Sequence, residues 1–181
     1  MESSYSDGNF YKVNTIINPF LIESLNLLKK GNCCDFGCGR GSNIKFLNKL
    51  GWNTYAVEKE LCGFNLVKNE IVNCYHSDIT KFDFSILPKL DIILCNYVLQ
   101  HLSISEVFEF LKKSILKLNN GGIFYLSIFE KNNAISYADI STFFQKEKLR
   151  EIKRKNWQRL DTNHGSVHFH IGVESLWKLE Q

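Results

Sequence analysis

The stretch Cys33-Cys34-Asp35-Phe36-Gly37-Cys38-Gly39-Arg40-Gly41-Ser42 constrains this chain more than any other. An apolar run, an acidic residue and three alternating glycines read together as a buried strand turning into a helix. A glycine has no Cβ to block a left-handed turn or the close approach of a bulky ligand. Three of them at such a junction predict backbone wrapped around a bound molecule. The rest of the sequence is then expected to complete that pocket.

Strand and helix signals alternate around the loop. From Pro19, the residues Leu21, Ile22, Leu25 and Leu28 recur at helical spacing, and Lys29-Lys30-Gly31 supplies a basic last turn and a stop. Beyond the glycines, Ser42 or Asn43 is expected to cap a helix whose Ile44, Leu47 and Leu50 form one stripe, ending at Gly51. Asn53 to Val57 reads as a strand with Glu58 at its end, Leu61 to Ile71 as a helix, and Val72 to His76 as a strand with Asp78 just beyond. Pro88 leaves Ile79 to Leu90 room for little more than a turn of helix, and Asp91 to Cys95 has the composition of a strand buried on both faces. After Asn96 to Leu102, Ser103-Ile104-Ser105-Glu106 predicts a capping box and a helix that buries Val107, Phe110, Leu111, Ile115 and Leu118. Asn119-Asn120-Gly121-Gly122 predicts a turn into a strand over Ile123 to Phe129. A polar loop at Glu130 to Asn133, a short helix marked by Leu149 and Ile152, and a closing hairpin of strands at Trp157 to Leu160 and Val167 to Trp177 complete the reading. The alternation predicts an α/β domain with a parallel sheet, right-handed crossovers and helices on both faces.

Composition limits what the pocket belongs to. With 181 residues, 44% of them hydrophobic, one core can form without a metal or disulfide staple, and a single domain over residues 1–181 is expected. The net charge of +3 is mild and demands no nucleic-acid partner. The run Lys146, Lys148, Arg150, Lys153, Arg154, Lys155 and Arg159 alternates with Glu147 and Glu151 and reads as a solvated helix face. Cys33, Cys34 and Cys95 fall in apolar runs and behave as small hydrophobes; with no CxxC spacing, a reduced, cytoplasmic protein is expected. No apolar run approaches the roughly 18 residues of a membrane span, and the polar N-terminus does not read as a leader. Tyr5, Phe10 and Tyr11 make residues 1–14 a candidate flap over the site.

In an open parallel sheet, ligands bind beyond the carboxyl ends of the strands. Every marked residue falls there: Gly37, Gly39 and Gly41 after the first strand, Glu58 after the second, Asp78 after the third and Asn96 after the fourth. A carboxylate at Glu58 can accept both hydroxyls of a ribose, Asp78 can accept from an exocyclic adenine amine, and Asp35 can hold an amino group directly or through water. The expected ligand therefore carries a nucleoside and a cation. The GxGxG spacing differs from the GxGxxG of dinucleotide sites.

Asp35-Phe36-Gly37-Cys38-Gly39-Arg40-Gly41, Glu58, Asp78 and the Leu118 to Gly122 turn resemble the motifs of class I S-adenosylmethionine-dependent methyltransferases, from roughly Leu21 onward. The resemblance implies a Rossmann-like, seven-stranded, mostly parallel sheet ending in an antiparallel hairpin. It implies S-adenosylmethionine as cofactor, with S-adenosylhomocysteine as product, held by Asp35, Gly37, Cys38, Gly39, Arg40, Gly41, Glu58, Lys59, Asp78, Ile79, Asn96 and Tyr97. The small size and Tyr97 to Leu102 resemble the small-molecule branch, including tellurite-resistance-type enzymes. Transfer is expected by in-line displacement, where positioning supplies most of the acceleration and a general base is optional. His101 is the first candidate base, and Tyr97 is expected to shape the acceptor pocket. His164, His168 and His170 make a metal conceivable, but nothing fixes a further ligand and none is expected. A catalytically silent binding module and an RNA methyltransferase using the basic run stay open as alternatives, and oligomeric state is undetermined.

Overall fold

The structure, a computed structural model, describes residues 19–129, 135–161 and 168–180. The expected flap over residues 1–14 lies outside these residues, as do His164 and the polar loop at Glu130 to Asn133. Five parallel strands, β1 (Asn32–Phe36), β2 (Asn53–Glu58), β3 (Asn73–His76), β4 (Leu90–Asn96) and β5 (Leu118–Phe129), are joined by β6 (Leu149–Asp161) and β7 (His168–Leu179). Together they form one seven-stranded sheet in the order β3-β2-β1-β4-β5-β7-β6. β7 runs antiparallel to both its neighbours, so the hairpin closes one side of the sheet.

Helices cover both faces. On one, α1 (Pro19–Leu25), α2 (Ser42–Lys49) and α3 (Leu61–Val67) bury Leu21, Ile44, Leu47 and Val67 against Cys33, Ala56, Ile92 and Tyr125. On the other, α4 (Ile104–Ile115) and α5 (Tyr137–Lys146) bury Phe110, Leu111, Ile140 and Phe144 against Cys34, Ile93, Phe124 and Trp177. Cys33, Cys34 and Cys95 are buried and free, as their apolar runs imply. The Ser103–Glu106 capping box is formed, with the Ser103 hydroxyl accepting from the Glu106 N–H and the Glu106 carboxylate accepting from the Ser103 N–H. Only a short 3-10 turn, Phe84–Ile86, interrupts the connection containing Pro88.

Four local expectations are corrected. Leu149 and Ile152 do not mark a helix; they begin β6, where the two residues, three apart, pack against the cores on opposite faces of the sheet, and a register shift follows between Glu151 and Lys153. The basic run therefore lies mainly on an edge strand. A helix does precede it, α5, started by a second capping box at Ser136 and Asp139. Neither Ser42 nor Asn43 caps α2; Gly41 does so with its backbone alone, at φ 76°, where a side chain would be strained. The strand placed over Ile123 to Phe129 extends back to Leu118, and Gly121 takes a φ of 78° within it.

Candidate cofactor and acceptor site

The three loop glycines all adopt left-handed backbone, at φ 71° for Gly37, 55° for Gly39 and 76° for Gly41, but they are required for different reasons. A Cβ on Gly37 would stand 2.5 Å from a Val98 methyl, and one on Gly41 2.7 Å from a Val67 methyl, so these two let the loop pack against its neighbours. A Cβ on Gly39 would meet nothing within 4 Å among the described residues. That glycine faces open space, the condition for a ligand to lie against bare backbone.

Beside the loop stand two buried carboxylates, Asp35 near the end of β1 and Glu58 at the end of β2, 3% and 5% exposed. Glu58 Oε2 accepts from the Gly39 N–H at 2.6 Å and Oε1 from the Glu60 N–H at 2.8 Å, which ties the second strand to the glycine loop. Gly63 in α3 permits this approach, since a Cβ there would come within 2.9 Å of the Gly39 carbonyl and 3.0 Å of Glu58 Cγ. Burial and then the neighbouring Glu58 carboxylate push the Asp35 pKa up to about 7. A cation brought to this corner would relieve both effects.

Farther along the rim, Asp78 Oδ1 accepts from the Thr80 N–H at 2.9 Å and the Thr80 hydroxyl at 2.8 Å. Burial acts to raise its pKa, but those hydrogen bonds, with Lys59 and Lys81 nearby, hold it below the ordinary value. Ile79 is buried beside it, while Lys59 is exposed. His101 ends the 3-10 turn Leu99–His101, and partial desolvation followed by the Lys59 ammonium lowers its pKa. His101 thus stands by the groups expected to hold the nucleoside. Arg40 and Cys38 are half-buried within the loop.

The other end of the rim joins Asn96 and Tyr97, both marked in the sequence, to two groups that were not, Ser127 and Glu174. Asn96, Ser127 and Glu174 are directly in register across β4, β5 and β7, so their side chains form one row on the face that carries α1. Ser127 and Glu174 are buried, and the Ser127 hydroxyl donates to Asn96 Oδ1 at 2.9 Å. Asn96 Nδ2 is buried without a hydrogen-bond partner among the described residues. Above this row Tyr97 takes an unusual left-handed conformation, φ 56°, fixed by its N–H donating to the Ser127 carbonyl at 2.8 Å. Its ring stacks on Phe129 at 4.8 Å and its hydroxyl donates to Glu174 Oε1 at 3.3 Å. Burial first, then Glu174, raise the Tyr97 pKa against smaller opposing effects of Ser127 and Trp157. Trp157 lies edge-on to both rings, a position open to it only because Gly172 opposite carries no Cβ. One signal for the row was present in the sequence: Ser127 interrupts the apolar run Ile123 to Phe129, and Glu174 is the single carboxylate within β7. Among the described residues, no group of His, Cys, Asp and Glu is arranged to hold a metal.

Residues 9–176 match the family described as a methyltransferase domain. The chain belongs to that family. It is the class I, S-adenosylmethionine-dependent family that the glycine loop and carboxylates resemble, and the observed strand order is the doubly wound sheet with antiparallel hairpin that the resemblance implied. Over 115 residues the chain is 33% identical to a carboxy-S-adenosyl-L-methionine synthase of Campylobacter fetus, a match covering 59% of this chain and 48% of that protein. The chain thus spans about half the length of this curated relative. Among solved structures, TehB from Haemophilus influenzae superposes with a TM-score of 0.77 at 14% identity, over 96% of this chain and 66% of TehB. The N-methyltransferase NodS from Bradyrhizobium japonicum, solved with S-adenosyl-l-homocysteine, gives 0.72 at 14% identity, over 91% and 89% of the two chains. At such identities these two likenesses are of fold. No described helix of this methyltransferase domain is long and apolar enough to cross a membrane.

Proposed function

We propose that this domain transfers the methyl group of S-adenosylmethionine to a small-molecule acceptor. The observation that carries the reading is the corner where Gly39 presents bare backbone to open space beside two buried carboxylates, Asp35 and Glu58. When bound, S-adenosylmethionine supplies a methyl group made electrophilic by its sulfonium. Glu58 has lone pairs beyond those taken by the two backbone N–H groups, and these accept from ribose hydroxyls. Asp78 and the backbone near Ile79 receive the adenine, with Lys59 at the exposed margin. Asp35 faces the positive charge of the amino-acid portion, and the unpartnered Asn96 amide donates to its carboxylate. Cys38 and Arg40 line the loop.

On the acceptor side, Tyr97 and Phe129 provide a rigid wall that holds the nucleophile in line with the methyl and excludes water. Such positioning lowers the barrier by removing the entropy cost of bringing the two reactants into line. NodS is named an N-methyltransferase, and a nitrogen nucleophile is compatible with this wall. Incubation with S-adenosylmethionine labelled in its methyl group, across a panel of amines, phenols, thiols, oxyanions and RNA, is the test. Label in a small molecule is the expected result; label only in RNA would contradict it. A second reading follows the Campylobacter relative, whose name gives carboxy-S-adenosyl-L-methionine as product: the cofactor itself would be modified. Mass spectrometry of the recovered nucleoside separates the two.

A further inference from the structure

We propose that Tyr97 and Glu174 form a proton-accepting pair, so that the acceptor is a protic nucleophile, an amine, hydroxyl or thiol whose attacking atom loses its proton on methylation. This rests on the methyl-transfer reading above. The phenol of Tyr97 carries one hydrogen, which it donates to Glu174 Oε1 at 3.3 Å. Its oxygen can then only accept, and a ligand at that oxygen must offer a hydrogen. Glu174 is 6% exposed, which keeps its carboxylate directed at the phenol rather than at bulk water. The ring cannot swing away: left-handed backbone, the Ser127 carbonyl, Phe129 and Trp157 all restrain it. His101 stands beside Lys59 instead.

In the step, the acceptor's lone pair forms the bond to the methyl carbon while the carbon–sulfur bond breaks with its electrons going to sulfur. The acceptor's proton passes to the Tyr97 oxygen as the phenol proton passes to Glu174, leaving a neutral phenol and a neutral carboxylic acid. Water later takes the proton from Glu174. Tyr97 is the catalytic residue in this scheme and Glu174 acts through it. Among the described residues, titratable groups around the pair include Tyr125 on β5, His170 on β7, and Lys155 opposite Glu174 on β6.

Two measurements test the pair. In ligand-free protein labelled with carbon-13 at the tyrosine ring carbon bearing oxygen, Tyr97→Phe assigns the resonance. That resonance should titrate at lower pH in Glu174→Gln than in the wild type, and an unchanged titration overturns the pair. In methyl transfer, protic acceptors should turn over and dimethyl sulfide and iodide should not. Glu174→Gln and Tyr97→Phe should lower kcat about ten- to hundredfold at pH 7 with unchanged affinity for S-adenosylhomocysteine. The deficit should shrink as pH rises and the acceptor sheds its own proton. Turnover of the aprotic acceptors, a pH-independent loss, or no turnover despite S-adenosylhomocysteine binding would overturn the proposal. Failure of the wild type to bind S-adenosylhomocysteine would instead remove the methyl-transfer reading, and the resonance titration still judges the pair.

Discussion

At the scale of single residues, the glycine loop separates what folding needs from what binding needs. Gly37→Ala adds both left-handed strain and a collision with Val98, and should lower the unfolding free energy by on the order of 3 kcal/mol. Gly39→Ala adds only the strain, about 1 kcal/mol, because nothing stands in its way, yet its methyl occupies the space assigned to the cofactor. Thermal unfolding with and without S-adenosylhomocysteine should find Gly39→Ala folded but unresponsive to ligand; a normal ligand-induced rise in Tm would contradict the assignment. Asp35 gives a second such contrast. Its pKa is raised in the folded state, to about 7 from an ordinary 3.8, so its contribution to stability is full below pH 4 and is lost as pH rises through 7. Asp35→Asn cannot ionise and should therefore be more stable than the ligand-free wild type at pH 8, by on the order of 2 kcal/mol, while binding the cofactor poorly. Equal stability at pH 8, measured by denaturant titration, would place the charge elsewhere. The places of these residues beside the glycine loop were legible in the sequence because an apolar run closing on an acidic residue and alternating glycines marks the end of a strand. Ser127 and Glu174 were not, because a polar residue in an apolar strand acquires meaning only through the register that aligns it with its neighbours.

At the scale of elements, legibility followed how local the signal was. The Ser103 box, the strand before the glycine loop and the Pro88 connection are each specified within a few residues, and they stand as read. β6 misled because Leu149 and Ile152, three residues apart, serve the cores on opposite faces of the sheet, an arrangement fixed by pairing with β7 and invisible in either strand alone. The dense charge of that segment then has a structural account. β6 is an edge of the sheet, and an edge rich in lysine and arginine resists pairing with another chain. Lys153 also ion-pairs with Glu23 of α1, and Arg154 lies over the Tyr137 ring. Replacing Lys153 and Lys155 together by Val should produce concentration-dependent self-association in size-exclusion chromatography that the wild type lacks at the same concentrations. Matching elution profiles would show that the charges serve something other than edge protection.

At the scale of the whole molecule, the sheet gathers the candidate residues along one rim: Gly39, Glu58, Asp78 and Asn96, proposed for the cofactor, stand at the ends of β1 to β4, and Tyr97, Phe129 and Glu174, proposed for the acceptor, lie across β4, β5 and β7. This division explains why the cofactor class could be read from the sequence and the acceptor could not: the first is held by groups that follow strands directly, the second by a surface assembled from distant strands. The most direct measurement is calorimetric titration of the wild type and Glu58→Ala with S-adenosylmethionine. The account predicts saturable one-to-one binding to the wild type, weakened by roughly 1–3 kcal/mol in the variant because buried polar partners lose their acceptor. Absence of binding to folded wild type, or equal affinity in Glu58→Ala, would contradict it.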